Sequence, residues 1–512
     1  MVKLLCNVPE KMVRTTFSEI LHGVLAEAAD KNFLTFPKEQ ENKTYTYRAF
    51  AERLTFLNSL YPVQQLKGRQ IVILDTRREY VVFWLCAAMA YGAVAVPMNG
   101  AQPKNELGEL IATLEPLAIV VPEGELQEWK SVLPENAADR LVASEEVERA
   151  ELSGEIPPVG LASPEDTAVI IFTSGTTGGQ KGAMIDHANL FGNMIPTADC
   201  YKYVYAPIKI YSILPYYHVF GITIDLLIVL MSGSELYLGK ISNHLPAEIK
   251  KNGCTVMPAV PMLFDFFRQL LSQTLAAHKE MTPKQVKAAL LGEQFHYMAI
   301  GGAYLEPEKL EQVETFGITV HQGYGMTECT SLISGEAFAG RREGSLGHLN
   351  PWIEYRIIDG EIQVRGAGVM SGYWKQPEET AKVLKDGWLC TGDLGEVDED
   401  GFFFFKGRKK NILIAENGEN VSPEPIETEL MQRLDAKEVR IRLGKGGLQA
   451  DLSFEGQLNP ALPSLLSDYN RDKPMFRQVR SYSIYPDGLD KNAVGKIIRE
   501  EGKMLERERN YV

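Results

Sequence analysis

Six cysteines in 512 residues are few, and Cys6, Cys86, Cys200, Cys254, Cys329 and Cys390 stand far apart. There is no C-x-x-C pair and no Cys/His group at zinc-ligand spacing. That excludes a disulfide framework and a structural zinc site, and it points to reduced thiols in a cytoplasmic compartment. Positive charge is also short: 53 Lys+Arg against 67 Asp+Glu leave a net charge of −14. Binding to a phosphate backbone needs a net basic face, so nucleic acid is not the expected partner. A local basic pocket for a phosphorylated small molecule is still compatible. No basic cluster marks a membrane-surface anchor, and no repeat or low-complexity segment is visible. Residues 1–19 lack the apolar core and cleavage site of a signal peptide.

One uncharged stretch, Val81 to Met98, has the length of a membrane span. Gly92 and Pro97 break it. A core helix over residues 79–91, ended at Gly92 and followed by a buried strand at 94–96, fits better. No integral membrane association is expected.

What is present is ordinary for a soluble globular chain: 45% hydrophobic and 23% charged residues. The length corresponds to about three domain-lengths. Apolar runs at Ile71–Leu74, Ala93–Val96 and Ala118–Val121 alternate with helical stretches, which predicts an α/β protein with largely parallel, buried sheets. The Pro-rich stretch Ser153–Glu165 reads as a connector.

The apolar run Ala168–Phe172 reads as a buried strand and leads into Thr173-Ser174-Gly175-Thr176-Thr177-Gly178-Gly179-Gln180-Lys181-Gly182. Glycines let a backbone approach a ligand with its N–H groups inward, hydroxyls add donors, and Lys181 adds charge. That is chemistry for a polyphosphate. It is not a Walker A loop, because Gln180 and Gly182 stand where that pattern needs Gly and Ser or Thr. Ala183-Met184-Ile185 reads as a second strand, so a hairpin flap is expected. Further along, His218 sits in Pro215-Tyr216-Tyr217-His218-Val219-Phe220-Gly221. Gly301-Gly302-Ala303 follows the apolar run Tyr297–Ile300, and Gly323-Tyr324-Gly325-Met326-Thr327-Glu328 follows Ile318–His321. Two glycine turns at strand ends make a nucleotide shelf. Asp393 follows a Thr391-Gly392 turn, Arg408-Lys409-Lys410 follows Gly407, and Lys496 stands in Asn492-Ala493-Val494-Gly495-Lys496.

In order and spacing these motifs resemble the acyl-adenylate-forming superfamily: acyl-CoA synthetases, adenylation domains of peptide synthetases and beetle luciferases. The motifs are most similar to those of fatty-acyl-CoA ligases. The resemblance implies a large N-terminal α/β part with stacked, mostly parallel sheets over residues 1–406. It also implies a small mobile α+β domain over 407–512 with a hinge near Lys410. By the same resemblance the Thr173–Lys181 flap holds the β and γ phosphates of ATP. Gly302 and Ala303 line the adenine, and Tyr324 stacks on it beside Gly325. Thr327 touches the α-phosphate and Glu328 binds Mg²⁺. Asp393 and Arg408 bond the ribose, and Lys410 belongs to the nucleotide-binding set. Lys496 is the catalytic lysine of the first half-reaction. His218 lines or gates the acyl pocket, although a histidine alone reads equally well as a core residue. Gln180, Asn411 and the stretch Ala436–Gly456 depart from the common pattern, the last at the acceptor-binding surface.

The expected activity is therefore carboxylate + ATP → acyl-AMP + pyrophosphate, followed by thioester formation with coenzyme A. Val219 stands where amino-acid-activating relatives carry an aspartate, and its apolar side chain cannot satisfy a buried ammonium. Phe220, Ile222, Met257, Val260 and Leu332 are candidates for an apolar pocket, so a fatty or other apolar acid leads. Asp225 keeps an amine-bearing acid in view. The alternatives are loading of a carrier-protein phosphopantetheine in trans and a non-enzymatic ATP-binding sensor.

Overall fold

The computed structural model describes residues 14–38, 41–75, 78–152, 154–174, 180–200, 208–302, 304–414, 420–444, 447–455, 460–471, 473–491, 497–499 and 510–511. The chain forms two compact units. Met1–Tyr355, Val364–Leu389 and Glu399–Phe403 make one; Arg356–Gln363, Cys390–Asp398 and Phe404–Val512 make the other.

The first unit holds two large sheets among the described residues. The seven-stranded sheet runs in the order Gly372–Tyr373, Gln180–Asp186, Thr167–Ser174, Val94–Pro97, Gln70–Ile73, Ala118–Val121 and Leu141–Ala143. The strands from Thr167–Ser174 onward pair in parallel. Gln70–Ile73, Val94–Pro97 and Ala118–Val121 are buried at every position, as parallel strands covered on both faces require.

Helix Arg78–Ala90 is buried from Tyr80 to Ala90. Trp84 lies edge-on to Phe56 at 4.8 Å, and its indole N–H donates to the Ser144 carbonyl at 3.1 Å. The uncharged run beginning at Val81 is thus a core helix followed by a strand. Gly92 separates them in the left-handed region at φ +72°, where a Cβ would lie 3.0 Å from the Leu161 carbonyl oxygen. Among the described residues no helix is long and apolar enough to cross a membrane.

The nine-stranded sheet runs in the order His348–Leu349, Ser331–Gly335, Thr319–Met326, Tyr297–Ile300, Val256–Ala259, Lys209–Ser212, Glu235–Leu238, Asn32–Pro37 and Asn42–Thr46. Its six central strands are parallel and the outer ones antiparallel. Helix Phe17–Ala28 buries Phe17, Ile20, Leu21 and Val24, and it begins at a reciprocal cap between Thr16 and Glu19.

The second unit has its own core. Helices Pro423–Leu434 and Leu462–Arg471 accompany a four-stranded sheet, Glu438–Gly444, Gly447–Ser453, Val479–Ile484 and Asn510–Tyr511. Ile426, Leu430, Val439, Ile441 and Leu466 are buried together. Arg440 and Asp451, both buried, form an ion pair at 2.7 Å, and Arg442 reaches the same carboxylate at 2.9 Å.

Two expected turns are strands. Gly323–Met326 continues strand Thr319–Met326, and Thr391-Gly392 lies inside strand Trp388–Val397. In the first case the glycines serve close approach of a neighbouring strand. A Cβ on Gly325 would stand 1.5 Å from the Ser331 carbonyl oxygen, and one on Gly323 would stand 2.6 Å from Leu332 Cδ1. In the second, Gly392 takes φ +73° within the strand.

Candidate active site

The flap is a hairpin. Thr167–Ser174 and Gln180–Asp186 pair antiparallel, with Thr173 opposite Lys181 and Ser174 opposite Gln180. The tip, Gly175, Thr176, Thr177, Gly178 and Gly179, lies outside the described residues. Lys181 is largely buried: its ammonium is 2.5 Å from Glu379 Oε2 and 5.3 Å from the centroid of the Tyr373 ring. Glu379 belongs to helix Pro377–Val383 and also meets Lys382, and the two ammonium groups hold its carboxyl down at about 2. The Tyr373 hydroxyl donates to Glu328 Oε1 at 2.8 Å. Burial and the Glu328 carboxylate push that hydroxyl well above the usual tyrosine range, so it stays a donor. Lys181, Tyr373 and Glu328 are one connected array, although 45 residues separate the last two in sequence.

Thr327 and Glu328 form a short 3₁₀ turn after strand Thr319–Met326. Thr330 and Ser331 then take φ +48° and +91° as the chain reverses into Ser331–Gly335. Met370 N donates to the Glu328 carbonyl at 2.9 Å, which fixes the backbone of the turn. Strands Tyr297–Ile300 and Thr319–Met326 pair with Ile300 opposite Gln322. Gly301-Gly302, just past the end of the first strand, and Gly323-Tyr324-Gly325, still within the second, therefore lie at the same level. Gly302 has φ +98°; Ala303 lies outside the described residues. The Tyr324 ring leans on Phe403 with centroids 5.1 Å apart.

Three of the five candidate pocket residues border this shelf. The Phe220 ring reaches within 3.0 Å of the Cβ position of Gly301, Val260 within 3.9 Å of that of Gly302, and Leu332 covers Gly323. Ile222 and Met257 are fully buried in two separate cores. Val219 is buried, while His218 is exposed beside Tyr217 at 4.7 Å. Asp225 is fully buried and already engaged within the protein. It accepts from Ser212 Oγ at 2.5 Å and lies 3.7 Å from Arg78 Nη2, and the Arg78 guanidinium stands over the Tyr216 ring at 4.9 Å. Its Oδ1 has no hydrogen-bond partner, and burial pushes the carboxyl up to about 7.

In the second unit Arg408 Nε is 2.6 Å from the fully buried Asp393. Lys409 meets Glu361 at 3.0 Å, and Asn411 donates to Glu424 at 2.5 Å. Lys410, between them, is exposed in the turn Lys409–Asn411. Lys496 lies outside the described residues. Its flanks are held: Lys491 bridges Ile497, Arg440 donates to the Ile498 carbonyl at 2.8 Å, and Arg499 donates to Glu427 at 2.7 Å.

The donor set fits magnesium bound together with a polyphosphate. Among the described residues there is no cluster of three metal-ligating side chains. Glu328 offers one carboxylate, with Oε1 fixed by Tyr373. Mg²⁺ typically takes one or two protein carboxylates and draws its other ligands from phosphates and water.

Sequence reasoning missed Tyr373 and Glu379. Only the structure marks them: Gly372 has φ +144°, and a Cβ there would meet Thr380 Cγ2 at 2.9 Å. The strand and the helix Pro377–Val383 thus pack tightly, and Glu379 faces Lys181 from that helix.

Residues 22–374 match the family described as AMP-binding enzyme. The chain is 32% identical over 362 residues to a long-chain-fatty-acid–CoA ligase of Escherichia coli O157:H7; the match covers 66% of this chain and 61% of that protein. It therefore spans about three fifths of the length of that ligase. It is 28% identical to a probable CoA ligase of Humulus lupulus, covering 95% of this chain and 91% of the relative. Among solved structures, O-succinylbenzoate coenzyme A synthetase from Bacillus subtilis, in complex with ATP and magnesium ion, superposes with a TM-score of 0.77 at 22% identity, covering 94% of this chain and 98% of that one.

Proposed function

The chain belongs to the AMP-binding enzyme family, and we propose that it activates an apolar carboxylic acid with ATP and passes the acyl group to coenzyme A. One observation carries the reading: a flap lysine, Lys181, and a turn glutamate, Glu328, are joined through Tyr373 beside a glycine shelf bordered by apolar side chains. A cation and a metal-binding carboxylate at one place suit a polyanionic nucleotide, and an apolar border suits an acid without charge at its far end. The long-chain-fatty-acid–CoA ligases at 32% identity support the same substrate class.

The chemical problem is that carboxylate and α-phosphate are both anionic. Alignment and charge neutralisation are then the main tasks. In this reading Lys181, with the hydroxyls and amides of the flap, holds the β and γ phosphates. Thr327 contacts the α-phosphate, and Glu328 holds magnesium, which supplies further neutralisation when bound. Gly302, Ala303, Tyr324 and Gly325 hold the adenine. Asp393 and Arg408 bind the ribose. Lys496 stabilises the charge that develops as the acid attacks, and His218 lines the entrance of the acyl pocket. In this reading the C-terminal unit, which also takes in residues 356–363 and 390–398, rotates about Lys410, withdrawing Lys496 and admitting the thiol. Thiolate then attacks the acyl carbonyl and AMP leaves.

The test is carboxylate-dependent exchange of labelled pyrophosphate into ATP across a panel of acids. Exchange with medium and long aliphatic acids, followed by thioester formation when coenzyme A is added, is the expected outcome. No exchange with any acid would reduce the protein to a nucleotide binder. Thioester formed only on a carrier protein would replace coenzyme A as the acceptor.

A further inference from the structure

Lys181 is the flap's one basic side chain, and its charge is met within the protein. Glu379 takes the ammonium at 2.5 Å and shares its carboxylate with Lys382, one turn on in the same helix. The alkylammonium also stands over the Tyr373 ring, and the Tyr373 hydroxyl reaches past it to Glu328 Oε1. The backbone that carries Tyr373 is held from two sides. Tyr373 N donates to Thr380 Oγ1 at 2.8 Å, and Trp374 N donates to the Gly182 carbonyl at 2.8 Å. Glu379 and Thr380 are adjacent in sequence, so the same helix turn fixes both the anion facing Lys181 and the strand bearing Tyr373.

We propose that Glu379 stands in for a nucleotide phosphate, holding Lys181 until the polyphosphate displaces it, and that Tyr373 is a positioning residue that orients the Glu328 carboxylate toward a divalent cation. The inference rests on the nucleotide-binding reading above. Its physical content is an exchange of charge partners. A lysine left without a counter-ion beside a glycine-rich flap would attract any small anion and sample many rotamers. One already paired is held in place, and it leaves its partner only for a ligand that offers more negative charge. Tyr373 acts as outer-sphere donors to metal-binding carboxylates commonly do: it fixes one oxygen and so aims the other.

The two contributions separate by ligand. Binding of ATP, which has β and γ phosphates to give Lys181, should depend on Glu379; binding of AMP, which has none, should not. Isothermal titration of the full-length protein with ATP plus Mg²⁺, and separately with AMP, reads this directly. Glu379→Gln should tighten ATP about two- to fivefold, the range for a partly exposed ion pair, and leave AMP unchanged. Tyr373→Phe should raise the Mg²⁺ concentration needed for half-maximal ATP binding by about tenfold or more, again with AMP unchanged. Weaker ATP binding by Glu379→Gln, or equal changes for ATP and AMP, would overturn the exchange. An unchanged Mg²⁺ midpoint in Tyr373→Phe would overturn the positioning role. Failure of the unsubstituted protein to bind either nucleotide would instead refute the nucleotide-binding reading. Thermal unfolding of both variants, expected to match the parent, separates these results from misfolding.

Discussion

Substituting Asp225 by Asn should change how stability depends on pH. The carboxyl lies wholly inside the first unit, with one oxygen unsatisfied, one hydroxyl donor from Ser212, and Arg78 at 3.7 Å rather than in direct contact. Burial outweighs that attraction and lifts the group from 3.8 to about 7. The folded state therefore holds a proton that the unfolded chain has lost. Its stabilising contribution is complete below the ordinary value and disappears as pH rises through 7. The full span corresponds to roughly 4 kcal/mol, and more than half of it falls between about pH 5 and pH 8. Asn keeps the shape and cannot titrate. Urea unfolding of parent and variant at several pH values over that range, monitored by tryptophan fluorescence, gives the difference in stability at each. The variant should gain on the parent steadily as pH rises, because only the parent loses the contribution. The absolute offset also contains the lost attraction to Arg78, which the slope does not. Parallel stability curves for the two proteins would refute the reasoning, because they would mean that the carboxylate is already charged at pH 5 in the folded state.

Other substitutions test other elements. Lys496→Ala should lower acid-dependent pyrophosphate exchange on the order of 10²–10³-fold while still converting supplied acyl-AMP and coenzyme A to thioester, as read by mass spectrometry. Gly325→Ala places a methyl against the Ser331 carbonyl oxygen and should cost roughly 2–4 kcal/mol in calorimetric stability of the first unit. Asp451→Ala leaves Arg440, itself buried, without its carboxylate, and should destabilise the second unit by about 3–5 kcal/mol. Limited proteolysis should then cut residues beyond 404 first. Thr16→Ala removes the cap of helix Phe17–Ala28 and should cost about 1 kcal/mol in thermal unfolding.

The strands and the core helix were legible because their signal is local. Continuous apolar runs at Ile71–Leu74, Ala93–Val96 and Ala118–Val121, which overlap strands Gln70–Ile73, Val94–Pro97 and Ala118–Val121, and a glycine stop at Gly92 need no knowledge of distant neighbours. The hairpin around the flap followed from two apolar runs flanking a glycine-rich loop. The strand through Gly323 and Gly325 was read as a turn because glycine has two uses, positive φ and close approach, and only the neighbouring strand Ser331–Gly335 decides between them. Tyr373 and Glu379 were missed for a related reason. Each looks like an ordinary strand or helix residue until a pairing across nearly 200 positions of sequence brings Glu379 to Lys181. Asp225 was read as a group available to a substrate amine; Arg78, which answers it, stands 147 residues earlier and gives no local sign of doing so.

The polypeptide passes back and forth between its two units, since residues 356–363 and 390–398 belong with 404–512. No single cut can therefore excise the smaller unit whole. A fragment begun at Gly407 would leave behind Glu361 and Asp393, the acids that answer Lys409 and Arg408, and would expose two orphaned cations. Chimeras that exchange the C-terminal part between relatives face the same constraint: the graft has to bring its own counterparts of three separate stretches of chain, or accept a mismatched seam.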